Sequence, residues 1–196
     1  MTFAKKGYVT ASLNYRLIQK NENPAVGIQN GVEDVKCAVR WLRANAEKYN
    51  IDPKRIGGYG NSAGAHLVSM LGLCPPSAGL EGDGPYQEYS SNIQAVVASA
   101  TPTDFSLFES NEQKRQEELS KKLSPITYVH KNAPPFLLFH DTADKTVDIK
   151  HSDTFVAALK KAKDVTYKSY NNGSGHGVFY KNADETVPLR EEFFDR

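Results

Sequence analysis

Apolar positions along this chain recur in two rhythms. Val32, Val35, Val39, Leu42 and Ala46 follow one another at steps of three, four, three and four, the spacing of one face of an amphipathic helix. Glu33, Asp34, Lys36, Arg40 and Arg43 fall on its other sides. Elsewhere the apolar residues gather into short stretches rich in β-formers, at 8–15, 56–59, 93–100 and 136–139, with an alternating stretch at 165–170. Each reads as a strand. Helix-compatible runs occupy 63–73 and 152–163, and a short one is expected at 189–194. Residues 16–27 and the Gly/Pro-rich 75–84 read as loops, and the charged run 109–122 as a water-facing helix or loop. Strands separated by helices predict an α/β fold, a mostly parallel sheet with helices on both faces. Such sheets bind ligands beyond the carboxyl ends of their strands.

Composition narrows the classes. At 196 residues the chain is expected to form a single domain, 1–196, with 101–133 as a candidate small cap or insert. Lys and Arg total 24 against 23 Asp and Glu, and no basic stripe stands out, so a nucleic-acid partner is not expected. No apolar run approaches the roughly 20 residues that cross a bilayer, and the first six residues lack the apolar core of a signal peptide. No membrane partner is expected. Two cysteines, Cys37 and Cys74, make no disulfide framework.

The chemistry begins at Gly60-Asn61-Ser62-Ala63-Gly64. The pattern G-x-S-x-G, with a strand before it and a helix after it, describes a turn that lifts a serine hydroxyl clear of the backbone. Glycines flank such a serine because strand and helix pass close together. A serine hydroxyl is a weak nucleophile and needs a base and a carboxylate. Asp144 follows the strand at 136–139, and His176 follows the strand at 165–170 within Gly173-Ser174-Gly175-His176-Gly177. The order Ser, Asp, His is that of the α/β-hydrolases. Three motifs, each at a strand end, point to one rim.

Competing readings stay open at this stage. Asp141 and Asp148 compete with Asp144 as the acid, and Asp104, also after a strand, is a minor alternative otherwise read as a helix cap. His66 sits four residues past Ser62 and reads as a buried structural histidine. His130, His140 and His151 lack the spacing of a metal site, so no metal and no cofactor is expected.

Several stretches resemble esterases of the α/β-hydrolase fold, in the acetyl-xylan and feruloyl esterase-like branch. They are Leu13-Asn14-Tyr15-Arg16-Leu17, Gly60 to Leu67, Leu123 to Val129 and the Asp144 segment. The resemblance implies Ser62 as nucleophile, Asp144 as acid, His176 as base and the Ala63 N–H as one oxyanion donor. It implies a small-molecule ester substrate, with short acyl esters, acetyl or feruloyl groups on plant polysaccharides, as the analogy. The chain departs from the pattern twice. His140-Asp141 stands where the family has His-Gly, and no His-Gly-Gly loop supplies a second oxyanion donor. A triad with half an oxyanion hole would be slow, by roughly 10²–10³ in turnover. The family's first three strands would also be missing, leaving a gap between the strand at 8–15 and that at 56–59. The expectation is an N-terminally truncated α/β-hydrolase, with a mis-set start and a rearranged shorter fold as the alternatives. A second chain filling the gap would make a homo-oligomer. Localisation is left open for the same reason.

Overall fold

A computed structural model describes residues 2–108, 117, 121–162 and 165–196. Among them, four parallel strands lie in the order β1-β2-β3-β4: Gly57–Asn61, Ala95–Ser99, Phe136–Asp141 and Val165–Tyr170. The helices are α1 (Thr2–Lys5), α2 (Pro24–Ala44), α3 (Ala46–Tyr49), α4 (Ala63–Leu73), α5 (Lys150–Ala162), α6 (Val178–Lys181) and α7 (Ala183–Asp195). Most of the charged run at 109–122 lies outside the described residues.

Strand alternation assigns the two faces of the sheet. Val96, Ala98, Phe136 and Leu138 point into one core, shared with α2, α4 and α5 through Val35, Met70 and Phe155. Val97, Leu137 and Phe139 point into the other, covered by Val178 and Phe179 of α6 and Phe193 of α7. Helices therefore cover both faces, and β3 is buried along its whole length, as a central parallel strand should be.

Four expectations change. The stretch 8–15 carries no strand pairing. It runs opposite the free edge of β1, across a cavity of about 510 Å³ lined by Tyr8, Leu13, Gly57, Tyr59 and Leu67. A strand exists through its ladder, and β-forming side chains alone do not supply one. Toward β2, the Ile56 carbonyl accepts from Gln94 N–H and the Ser62 N–H donates to Ser99. By alternation the backbone groups of Gly57, Tyr59 and Asn61 face the cavity.

Helix α2 starts at Pro24, inside the stretch read as a loop. Asn23 caps it, its side-chain oxygen accepting from the Ala25 N–H at 3.0 Å, and Pro24 fits the first helical position. Lys36 and Arg40, placed on the polar side of the helix by periodicity, are both fully buried. The chain after α4 folds over them. Glu81 accepts from Lys36 and from Arg40 at 2.7 Å each, and Lys36 also donates to the Cys74 carbonyl. Helix α7 begins at Ala183, six residues before the expected start, and continues through Pro188.

Candidate active site

β1 delivers Ser62 to the carboxyl rim of the sheet. Its backbone sits at φ 54° and ψ −120°, a conformation L-residues rarely adopt and one that the surrounding packing must hold in place. Gly60 shows why the approach is tight. A Cβ there would lie 2.2 Å from the Gly64 backbone. Gly64 does not share this constraint, since a Cβ there meets nothing within 4 Å. The reading of both glycines as forced by close passage therefore applies to Gly60 alone. Ala63 opens α4, so its N–H lies among the first helix amides, which have no intrahelical acceptor.

The three residues found by motif converge. His176 Nε2 lies 2.9 Å from Ser62 Oγ, and His176 Nδ1 lies 2.8 Å from Asp144 Oδ2. A carboxylate only accepts, so Nδ1 carries the proton and Nε2 is left with a lone pair toward the hydroxyl. Ser62 and the imidazole are half-buried at the rim, while the Asp144 side chain is fully buried. Oδ1 of Asp144 accepts from the N–H groups of Thr146 and Val147, at 2.8 and 3.0 Å. Burial raises the Asp144 pKa, but the Val147 N–H, His176 and the Thr146 N–H outweigh it and hold the carboxyl below its usual range.

The competitors go elsewhere. Asp141, fully buried, turns toward the loop that carries His176. One oxygen accepts from the Ala143 N–H at 2.7 Å, and the other from the Ser174 hydroxyl at 2.8 Å and the N–H groups of Asn172 and Ser174. Asp141 thus clasps the end of β3 to the approach of the histidine. Asp148 caps Lys150, and Asp104 caps Ser106. Sequence reasoning missed the Asp141 clasp. It also passed over His140, set aside for lack of metal spacing, which touches Asp144 at 3.3 Å. Its position four residues before the acid was the available signal. Among the described residues, no three His, Cys, Asp or Glu side chains converge as a metal site requires, and no helix is long and apolar enough to cross a membrane.

His66, His140 and His151 are buried, and burial lowers the pKa of each. His66 is pushed down to about 4 despite its 2.7 Å contact with the Leu123 carbonyl. Their folded pKa values lie below the unfolded value of 6.5, so the unfolded chain binds more protons as pH falls below it. Their stabilisation is present above pH 6.5 and is lost on acidification through the folded values. Between pH 7 and pH 5 His66 alone should remove of the order of 2 kcal/mol. Urea unfolding at the two pH values checks this. A lower midpoint at pH 5 is expected, and an equal or higher one contradicts it.

Comparison with known proteins places these features in a family. A family model described as BD-FAE matches residues 1–159. The chain is 29% identical over 203 residues to the esterase LipC of Mycobacterium tuberculosis, covering 94% of this chain and 49% of that protein. The solved structure of a thermophilic esterase from Thermogutta terrifontis, with butyrate bound, superposes with a TM-score of 0.75 at 29% identity, covering 85% of this chain and 65% of that one. A truncated carbohydrate esterase from gut microbiota gives a TM-score of 0.74 at 29% identity, covering 85% and 68%. The chain spans about half the length, or less, of the curated relatives it matches.

Proposed function

Because the chain belongs to the BD-FAE family of α/β-hydrolases, we propose that it is a serine carboxylesterase acting on short-chain esters. The observation that carries the reading is the unbroken string Ser62–His176–Asp144, at 2.9 and 2.8 Å, on a strained turn at the sheet's carboxyl rim. In this reading His176 Nε2 takes the Ser62 proton as Oγ attacks the ester carbonyl. Asp144 holds the imidazole in the required tautomer and offsets its positive charge. The Ala63 N–H faces the developing oxyanion as one donor. The protonated His176 then gives its proton to the departing alcohol, leaving an acyl-Ser62. Water, deprotonated by His176, releases the acid and restores the serine.

The acyl and alcohol groups rest on analogy. The Thermogutta terrifontis esterase was solved with butyrate, and the gut protein is a carbohydrate esterase. By extension we assign this chain short acyl groups, acetyl to butyryl, with acetylated sugars as the natural class. A substrate panel tests the assignment. The p-nitrophenyl acetate and butyrate esters should turn over faster than the octanoate, and acetylated xylan should release acetate. Faster turnover of the matching anilides would make the enzyme an amidase. No turnover of any ester would overturn the reading.

A further inference from the structure

We propose that His140, held by Ser152, is a positioning residue that fixes the Asp144 carboxylate toward His176. The inference rests on the esterase reading above and extends its hydrogen-bond string by two residues. His140 is fully buried at the end of β3. Its Nε2 lies 2.9 Å from the Val147 carbonyl and 3.3 Å from Asp144 Oδ2. Both are acceptors, so Nε2 must carry the proton. Nδ1 then keeps a lone pair, and Ser152 Oγ, 2.6 Å away on α5, must donate to it. The ring has one tautomer that satisfies all three partners, and burial, opposed by the Val147 carbonyl and Asp144, keeps it neutral.

The consequence falls on the acid. Asp144 has about four lone-pair sites. Two on Oδ1 are filled by the Thr146 and Val147 N–H groups, and Oδ2 is shared between His176 and His140. The carboxylate cannot rotate without giving up a partner. The same His140 N–H also bonds the Val147 carbonyl, so one donor ties the acid to the end of the 144–147 turn. Removing it leaves Oδ2 with His176 as its one donor among the described residues, so the carboxylate is held less tightly on that side and the imidazole with it. A shift on the scale of 1 Å in such a constellation costs about 10²-fold in rate.

His140→Phe, His140→Gln and Ser152→Ala test the proposal. Steady-state kinetics on p-nitrophenyl acetate would be combined with proton NMR of the low-field His176 Nδ1–H. His140→Phe should lower kcat by about 10–100-fold with KM unchanged, and shift or broaden the Nδ1–H resonance. His140→Gln, whose amide can donate from near the Nε2 position, should recover most of kcat and keep the resonance. Wild-type kcat in the Phe variant, or equal losses in Phe and Gln, would overturn the proposal. Should the Phe variant not fold, Ser152→Ala decides. Lower kcat at unchanged KM supports the tether, and unchanged kcat refutes it. If the native protein hydrolyses no ester, the esterase reading fails, and the His176 resonance in the Gln variant and in Ser152→Ala still tests the tether.

Discussion

Ser62→Ala is expected to lower kcat for p-nitrophenyl acetate by about 10⁴–10⁶-fold, with little change in unfolding midpoint. The two halves have separate physical causes. The hydroxyl is the only atom at this turn offered to His176 Nε2, and without it the imidazole has no nucleophile to activate. The Ala63 N–H would remain, so a residual rate above that of water persists. The side chain makes no cap bond to α4, and alanine pays the same positive-φ strain as serine. Loss of activity with an unchanged urea midpoint therefore separates chemistry from folding. Activity within a few-fold of the native enzyme would mean that another residue does the work.

The second large effect is expected from Asp144→Asn, about 10⁴-fold in kcat. The carboxylate now accepts on every side: Thr146 and Val147 N–H on one oxygen, His176 and His140 on the other. An amide has one acceptor and one donor end. The two backbone N–H groups would claim the acceptor, turning the NH₂ toward His176 Nδ1. The imidazole would then carry its proton on Nε2 and could not take one from Ser62. Because the NH₂ also meets the His140 N–H, some stability should be lost, of the order of 1–3 kcal/mol for a buried mismatch. Kinetics and urea unfolding on the same preparation give both quantities. A rate loss below about 10-fold would show that the carboxylate neither orients nor stabilises the base.

Where sequence and structure agree, local and tertiary forces point the same way. α4 spans the residues its apolar run predicts, and β4 occupies all of Val165–Tyr170. The candidate residues were legible for a related reason. Each of Ser62, Asp144 and His176 follows a strand, and a parallel sheet brings strand ends together whatever their separation in sequence. Which acid meets the histidine was not legible. Asp141 ends β3 and Asp144 lies three residues beyond it, and the direction each carboxylate turns distinguishes them. The 8–15 stretch misled because β-forming side chains say nothing of whether a partner lies alongside. Lys36 and Arg40 misled because helical periodicity cannot foresee a distant loop folding over them with Glu81. The start of α2 was readable from Asn23-Pro24 and was overlooked, since Arg16 to Gly27 holds no long apolar pattern. For His140 the four-residue spacing to Asp144 was there to be read, whereas its other partner, Ser152 on α5, required the fold itself.

The central claim, a serine made nucleophilic by one imidazole, is tested most directly by labelling with a fluorophosphonate probe and mapping the modified peptide by mass spectrometry. The expected result is a single adduct on Ser62, abolished by His176→Ala at an unchanged unfolding midpoint. An adduct on another residue, or full ester hydrolysis by protein whose Ser62 stays unmodified under saturating probe, would contradict it.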